Sequence, residues 1–481
     1  MNMKNIFYGL FFVALACSLT GCKKFLDQKP QTEIAADVFW KSEDDIKGGV
    51  AAMYDGIQSI FDNNYTLYGD ARTDEVRVGQ YGNISYAMNG LAAGITGSDW
   101  TNFYVTILRA NLGIKNIPIV KAKYQTGIDQ KAINHYLAQC YTTRALCYFW
   151  LIRLWGDVPV WTEPYDDISI EPNRARTSKD IIIDTVILRD LKLAASLSNP
   201  SLNNVYEANI GATYSLLMDV AMWKKDYASA ITWYDDLVAL KKYSLEPTAT
   251  WKNLFINPTA TKESIWSVYW DWTLDGGADV STLIGAGNTN SDFEVEDSVW
   301  TYWTKTPADI RGPQTIDFKN SSHDKFLKFY APNLDAKGNQ LYPNGAEANI
   351  LFPIYRWADI LLLRAEAANK LEDRPTALKL LNQVRARAGV AAYRADSLNN
   401  QPIMENAILA ERKLELYMEA KRWFDLERTD KVIEVMDPIL KYRQTRMGSP
   451  AVGFGDPRTI LWPINRNVLD ANNKLVQNPP Y

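Results

Sequence analysis

Apolar residues recur every three to four positions along most of the chain, the period of helices with one buried face. In "YSLLMDVAMWKKDYASAITWYDDLVAL" (Tyr214–Leu240) two apolar stripes meet at Lys225-Asp226. In "ILLLRAEAANKLEDRPTALKLLNQVRA" (Ile360–Ala386) two more meet at Asp373-Arg374-Pro375, with proline where a helix prefers to begin. Further helices are predicted over Ser42–Ile60, Trp100–Val120, Lys131–Leu154, Ser178–Leu197 and Ile403–Asp425. The pattern therefore predicts an all-α fold with little β-structure. It breaks over 243–352, where Gly, Asn, Pro and Asp cluster, as in "LDGGADVSTLIGAGNTNSD" and "APNLDAKGNQLYPNGAEAN". A compact domain rarely carries so long an irregular stretch without using it. Inside it "ESIWSVYWDW" alternates like a strand and places Trp266, Val268, Trp270 and Trp272 on one face.

The two broken stripes superpose, Tyr214 on Leu361, Leu216 on Leu363, Ala221 on Ala368, Ala230 on Ala377 and Leu237 on Val384. Small residues at Ala221 and Ala230, on either side of the break, allow close approach of two helices. The unit resembles a tetratricopeptide helix pair, but the spacing between units is far from the regular repeat of about 34 residues. Plain antiparallel hairpins would give the same pattern.

The first residues read differently. Lys4, the apolar run "IFYGLFFVALA" and then Leu19-Thr20-Gly21-Cys22 have the layout of an export signal ending in a bacterial lipobox. Cys22 is expected to be lipidated and to become the new N-terminus; an ordinary signal peptide with a chance cysteine is the alternative. The expected organisation is a signal at 1–21 and one domain at 22–481, with a loop-rich insertion at about 243–352. Cys140 and Cys147, seven apart on one predicted helix, lie about 10 Å apart along its axis, too far for a disulfide. They are expected as buried thiols.

Composition narrows the chemistry. The net charge is −4, and no Lys/Arg run tracks a phosphate backbone, so nucleic acid is not an expected partner. There are two histidines, His135 and His323, without metal-ligand spacing, and the Asp-rich loops "DGGADV" and "SDFEVED" lack the calcium-loop pattern. No metal or cofactor is expected. The unusual feature is 16 Trp and 26 Tyr.

Five stretches carry a resemblance: "CKKFLDQKPQTEIAADVFWKSEDDI", "RALCYFWLIRLWGDVPV", "YRWADILLLRAEAAN", "ERKLELYMEAKRWFDLERTD" and the C-terminal "LWPINRNVLDANNKLVQNPPY". In this order they closely resemble the SusD/RagB family of outer-membrane nutrient-binding lipoproteins. The resemblance implies a helical fold on four tetratricopeptide-like pairs with irregular insertions. It also implies a lipid anchor at the outer membrane facing the exterior, and a lid role over a SusC-like TonB-dependent transporter in glycan or peptide uptake. Lys23 and Lys24 depart from the acidic residues that often follow the cysteine in surface-exposed members.

Within the charged motif, Glu419, Arg422, Asp425 and Arg428 are three apart and are expected to pair along one helix face, with Trp423 and Phe424 beside them. Arg356, Asp359, Arg364 and Glu366 are expected to be structural too, and Trp150, Trp155 and Trp161 to lie in the core. Ligand contacts are expected where aromatics sit in polar, loop-like sequence, because a sugar offers apolar C–H faces and hydroxyl edges. The candidates are Tyr65, Tyr68, Asp74, Tyr81, Trp100 and Asn102 in an early segment, and Trp270, Trp272, Trp300, Tyr302 and Trp303 in the insertion. For Trp100, Trp266, Trp270 and Trp272 helix or strand packing is the competing reading.

The expected function is non-catalytic capture of an oligosaccharide or polysaccharide for delivery to the transporter. A peptide receptor of the same fold, an exported glycoside hydrolase using two of the 56 carboxylates, and a protein-binding scaffold are the alternatives.

Overall fold

The computed structural model describes residues 39–124, 127–167, 169–278, 291–342 and 349–481. Cys22 and the predicted signal lie outside them. Helix α1 (Glu43–Phe61) begins at Ser42, whose hydroxyl accepts from the Asp45 amide while the Asp45 carboxylate accepts from the Ser42 amide. It packs on α2 (Thr101–Tyr124), α2 packs on α3 (Gln130–Trp155), and α4 (Leu188–Leu197) covers α3. α5 (Ile210–Trp223) and α6 (Tyr227–Ala239) form the first predicted pair. Lys225 takes a left-handed φ of 61° between them, and Asp226 caps α6 by accepting from the Ser229 amide.

Two small antiparallel sheets interrupt the helices. Strand β1 (Val76–Val78) pairs with β3 (Phe293–Val295), and β2 (Ser264–Trp270) with β4 (Ile350–Arg356). Register shifts break the expected alternation of β2 between Ser264 and Ser267, and its residues are buried on both faces apart from Tyr269. Trp272 is not on that strand; it opens the short helix Trp272–Asp275. After β3 comes α7 (Asp297–Lys305).

The second predicted pair is α8 (Trp357–Lys370) and α9 (Arg374–Arg387), joined through Glu372 at φ 64° and capped by Asp373, which accepts from the Thr376 amide. Ala221, Ala230, Ala368 and Ala377 are all buried, as close helix contact requires. α10 (Gln401–Glu415), α11 (Arg422–Arg428) and α12 (Val432–Arg446) complete the frame. Apolar side chains from these elements and both sheets merge into one large core, with a smaller cluster of Ile46, Ile117 and Ile133 between α1, α2 and α3.

The helix expected over Ile403–Asp425 is broken. After α10 the chain turns through Met418 at φ 59° and Ala420 at φ 54°, and Ala420 lies so close to Gly69 that a Cβ there would stand 2.1 Å from its Cα. The turn dissolves the expected charge ladder, of which only Arg428–Asp425, at 2.9 Å, remains. Glu419 instead accepts from Arg356 Nε and Nη2 at 2.7 and 2.8 Å, and Arg422 reaches Asp74. Arg356 also donates to Glu263 and Glu415, Arg311 to Asp309 and Glu411, and Arg412 to Asp359 and Asp425. Burial works against each guanidinium, yet the surrounding carboxylates hold Arg311 and Arg356 above the usual range. Such a network adds little net stability over an apolar core, but losing one member strands its partners, so it fixes how distant segments meet.

Candidate functional site

The β1–β3 ribbon joins the two aromatic regions singled out in the sequence. Val76 lies opposite Val295, Arg77 opposite Glu294 and Val78 opposite Phe293. Its foundation is the segment before β1. Arg422 donates from Nε to Asp74 Oδ1 at 2.8 Å and from Nη2 to Oδ2 at 3.1 Å, and Lys413 donates to Oδ2 at 2.8 Å. Burial alone would raise the Asp74 carboxyl; these two cations outweigh it and hold the group far below the usual carboxylate range. Beside it, Glu75 accepts from the Met418 amide at 3.1 Å, and burial pushes its carboxyl up to about 8. The Glu75 carbonyl accepts from Tyr417 Oη and from the Glu296 amide, tying the entry of β1 to the start of α7.

Above this base the ribbon carries polar and aromatic groups. Arg77 Nε donates to Glu294 Oε2 at 2.9 Å, and its Nη1 pairs with Asp297, the first residue of α7. Asp297 also accepts from Arg446 at 3.1 Å. With Ile84, Tyr442 and Met447, Arg77 and Arg446 line a cleft of about 370 Å³. Past β1 the chain turns through Gly82, where a Cβ would lie 2.0 Å from the Asp292 carbonyl, and leaves Tyr81 66% exposed.

α7 leads to a second cleft. Trp300, half-buried, stacks on His323 at 3.6 Å and 15°, and its ring lies 5.0 Å from Phe318. Phe318 is a wall of a cleft of about 560 Å³, with Lys252, Gln314, Asp317, Tyr330 and Gln340. Tyr342 Oη donates to Asp317 at 2.6 Å, and Lys252 donates to the Gln314 carbonyl at 3.1 Å. Burial, with Lys328 adding to it, lowers the Lys252 ammonium to about 7. The buried Tyr330 hydroxyl has no hydrogen-bond partner among the described residues. Together the two clefts offer ring faces, amides and carboxylates, the group types that a polyhydroxylated ring engages.

The remaining candidates divide by burial. Tyr65 and Tyr68 are core residues, their hydroxyls donating to the carbonyls of Pro353 and Gly97. Asp74 is an anchor, Trp270 packs on Phe352, and Trp303 is buried against Gly312 and Tyr417. None of these five presents a face to a ligand. Tyr302 is half-buried at the edge of the core. Trp100 is only 4% exposed. Asn102 donates to the Ser59 carbonyl, and Gln58 to the Tyr269 carbonyl and to Asp275, so Asn102 and the 38% exposed Trp272 both gather at the end of α1. The structural roles expected for Trp150, Trp155, Arg356, Asp359 and Glu366 agree with their burial, and Arg364 lies over the Tyr234 ring.

Sequence reasoning missed Arg77, Phe318, Tyr330, Tyr442 and Arg446. Tyr442 and Arg446 sit one turn apart on α12 and carried no signal, because their neighbours on the two strands of the ribbon lie about 150 and more than 350 residues away in sequence. Among the described residues no group of three or more His, Cys, Asp or Glu is placed to hold a metal ion, and no helix is long and apolar enough to cross a membrane.

Comparison with known proteins covers nearly the whole chain. Residues 24–221 match the family model described as starch-binding, associating with outer membrane, and residues 262–481 match the model of the SusD family. SusD-like protein P38 of Formosa agariphila is 28% identical over 527 residues, spanning 100% of both chains. A SusD superfamily protein from Bacteroides thetaiotaomicron superposes with a TM-score of 0.75 at 22% identity, covering 92% of this chain and 99% of the other. A laminarin binding SusD-like protein superposes with a TM-score of 0.73 at 22% identity, covering 92% and 100%.

Proposed function

Because the chain belongs to the SusD/RagB family, we propose that it is a non-catalytic, lipid-anchored protein of the outer membrane that captures an oligosaccharide or polysaccharide and passes it to a SusC-like TonB-dependent transporter. The observation that carries the reading is the β1–β3 pairing, which joins the segment bearing exposed Tyr81 to the segment that runs on into the Trp300 helix, with one polar cleft along the ribbon and a second, aromatic one whose Phe318 wall packs on Trp300. The laminarin-binding relative supports a carbohydrate as the ligand class.

A binder gains from rings that are positioned before the ligand arrives, and local packing supports that here. Tyr81 rides on a turn whose glycine admits no side chain, and Trp300 is held between His323 and Phe318. Stacking supplies affinity, while Asp317, Gln314 and Gln340 at the rim select hydroxyl positions. The half-buried carboxylates Glu294 and Asp297 are paired with arginines, an arrangement suited to holding shape and not to donating a proton to a glycosidic oxygen. Anchoring would run through Cys22, at the lipobox, and the domain would extend from there as one unit with its insertion at about 243–352.

The test is affinity electrophoresis of the chain from Lys23 onward in gels containing laminarin, starch, xylan and mannan, with a reducing-end assay on the same samples. Retardation by one polymer without sugar release supports the reading; sugar release at enzymatic rates contradicts it. Fatty-acid labelling that disappears in Cys22→Ser checks the anchor.

A further inference from the structure

Trp100 emerged from the sequence as a ligand residue and is 4% exposed, yet it forms part of the wall of a third cleft, of about 360 Å³, that shares no residue with the two beside the ribbon. Its walls come from three distant parts of the chain: the start of α2, the segment that follows α3, and the short helix Arg466–Ala471 with its continuation to Leu475.

The composition is that of a site for a neutral, hydroxylated ring. Half-buried Tyr104 and Trp161 supply aromatic surface, buried Trp100 backs them, and Asn173 and Asn467 supply amides at the rim. The lining includes one acidic side chain, Asp99, and no basic one. A volume of about 360 Å³ lies at the small end of ligand sites, enough for one or two sugar rings and too small for a folded partner.

The walls are fixed before any ligand arrives. Tyr104 Oη donates to the Pro159 carbonyl at 2.7 Å, and Trp100 and Tyr104 pack edge to face at 5.8 Å. Arg174 lies over the Trp161 ring at 3.5 Å while donating to the Val160 carbonyl at 2.7 Å, so one indole face is already committed. Asn472 is committed too: it donates to the Arg174 carbonyl and accepts from the Lys474 amide. The side-chain amides of half-buried Asn173 and exposed Asn467, by contrast, make no hydrogen bond to another described residue, and each can give and accept a bond to a sugar hydroxyl.

We propose that this cleft is a second carbohydrate site, taking one or two neutral pyranose units of the same polymer that the ribbon face binds; it rests on the reading of the protein as a carbohydrate binder. Two sites on one rigid chain raise the affinity for a long polymer well beyond that for a short fragment, because the second site engages at high effective concentration.

Calorimetric titration with laminarihexaose, maltohexaose and xylohexaose separates the two readings. The expected result is two sites per chain for one of these probes, falling to one in Asn173→Ala/Asn467→Ala and to the other one in Tyr81→Ala/Trp300→Ala. With the parent polymer, the rim double variant is expected to bind at least tenfold more weakly. Leu475→Trp, which fills the cleft instead of emptying its rim, is expected to match the rim variant. One site per chain, unchanged by Asn173→Ala/Asn467→Ala and by Leu475→Trp, overturns the second site and leaves the carbohydrate reading standing. Absence of heat with all three probes and of gel retardation with their polymers contradicts both.

Discussion

Arg422 grips Asp74 with two N–H donors, at 2.8 and 3.1 Å, across 348 positions of sequence. The pair ties the charged motif after α10 to the residue that leads into β1, and so to the face proposed to bind ligand. Asp74→Asn is expected to lower stability by about 3–5 kcal/mol, the usual cost of removing one partner from a buried pair. Urea denaturation at neutral pH measures it. The sign of the pH effect follows from the depressed carboxyl. Wild-type stability from this pair is present above the ordinary aspartate range and is lost as pH falls through and below it, whereas the variant lacks that acid-dependent component.

Glu75 carries the opposite dependence. Burial raises its carboxyl from 4.5 to about 8, so between those values the folded chain holds a proton that the unfolded chain has released. Its contribution is fully present below about 4.5 and declines as pH rises toward 8. In Glu75→Gln that decline should shrink without vanishing, because buried Asp70 is shifted in the same direction. Melting temperatures collected from pH 5 to pH 8.5 decide it, and identical slopes in wild type and variant would refute the assignment.

The two insertion tryptophans should separate. Trp303 is buried against Tyr417, and Trp303→Ala is expected to cost about 3–5 kcal/mol of stability, seen by denaturant titration. Trp300 is half-buried, and its replacement by alanine should cost clearly less while weakening ligand binding.

Cys140 and Cys147 are free, buried thiols, and burial pushes the Cys140 thiol up to about 12 and Cys147 in the same direction. A thiol reagent at pH 8 is expected to label neither in the native chain from Lys23 onward and both in denaturant. Rapid native labelling would show that the packing around α3 is not as described.

The helix pairs were legible because each is a local pattern. The stripes, the small residues Ala221 and Ala230, and the breaks at Lys225-Asp226 and Asp373-Pro375 all sit within one short window. What failed was long-range. Glu419 and Arg422 look like members of one helix until the turn at Met418 and Ala420 sends them to Arg356 and Asp74. Tyr65 and Tyr68 sit among polar residues, yet the short helix that carries them is buried on every side. Tyr81 stayed exposed because the close approach of Gly82 to Asp292 holds its turn against the ribbon, a meeting of regions that the sequence separates by two hundred residues. Regional composition marked the two loop regions that the ribbon joins; which ring in each loop faces outward depends on strand pairing that no local window contains.

The central claim is that the ribbon face captures carbohydrate. The most direct measurement is the dissociation constant of the chain from Lys23 onward for the polymer that retards it in gels, compared with Tyr81→Ala, whose exposed side chain can be removed without disturbing the core. The expected result is an affinity about tenfold weaker at an unchanged melting temperature, equivalent to about 1.4 kcal/mol and near the upper end of what one stacked aromatic ring supplies. Equal affinity in wild type, Tyr81→Ala and Trp300→Ala would contradict it.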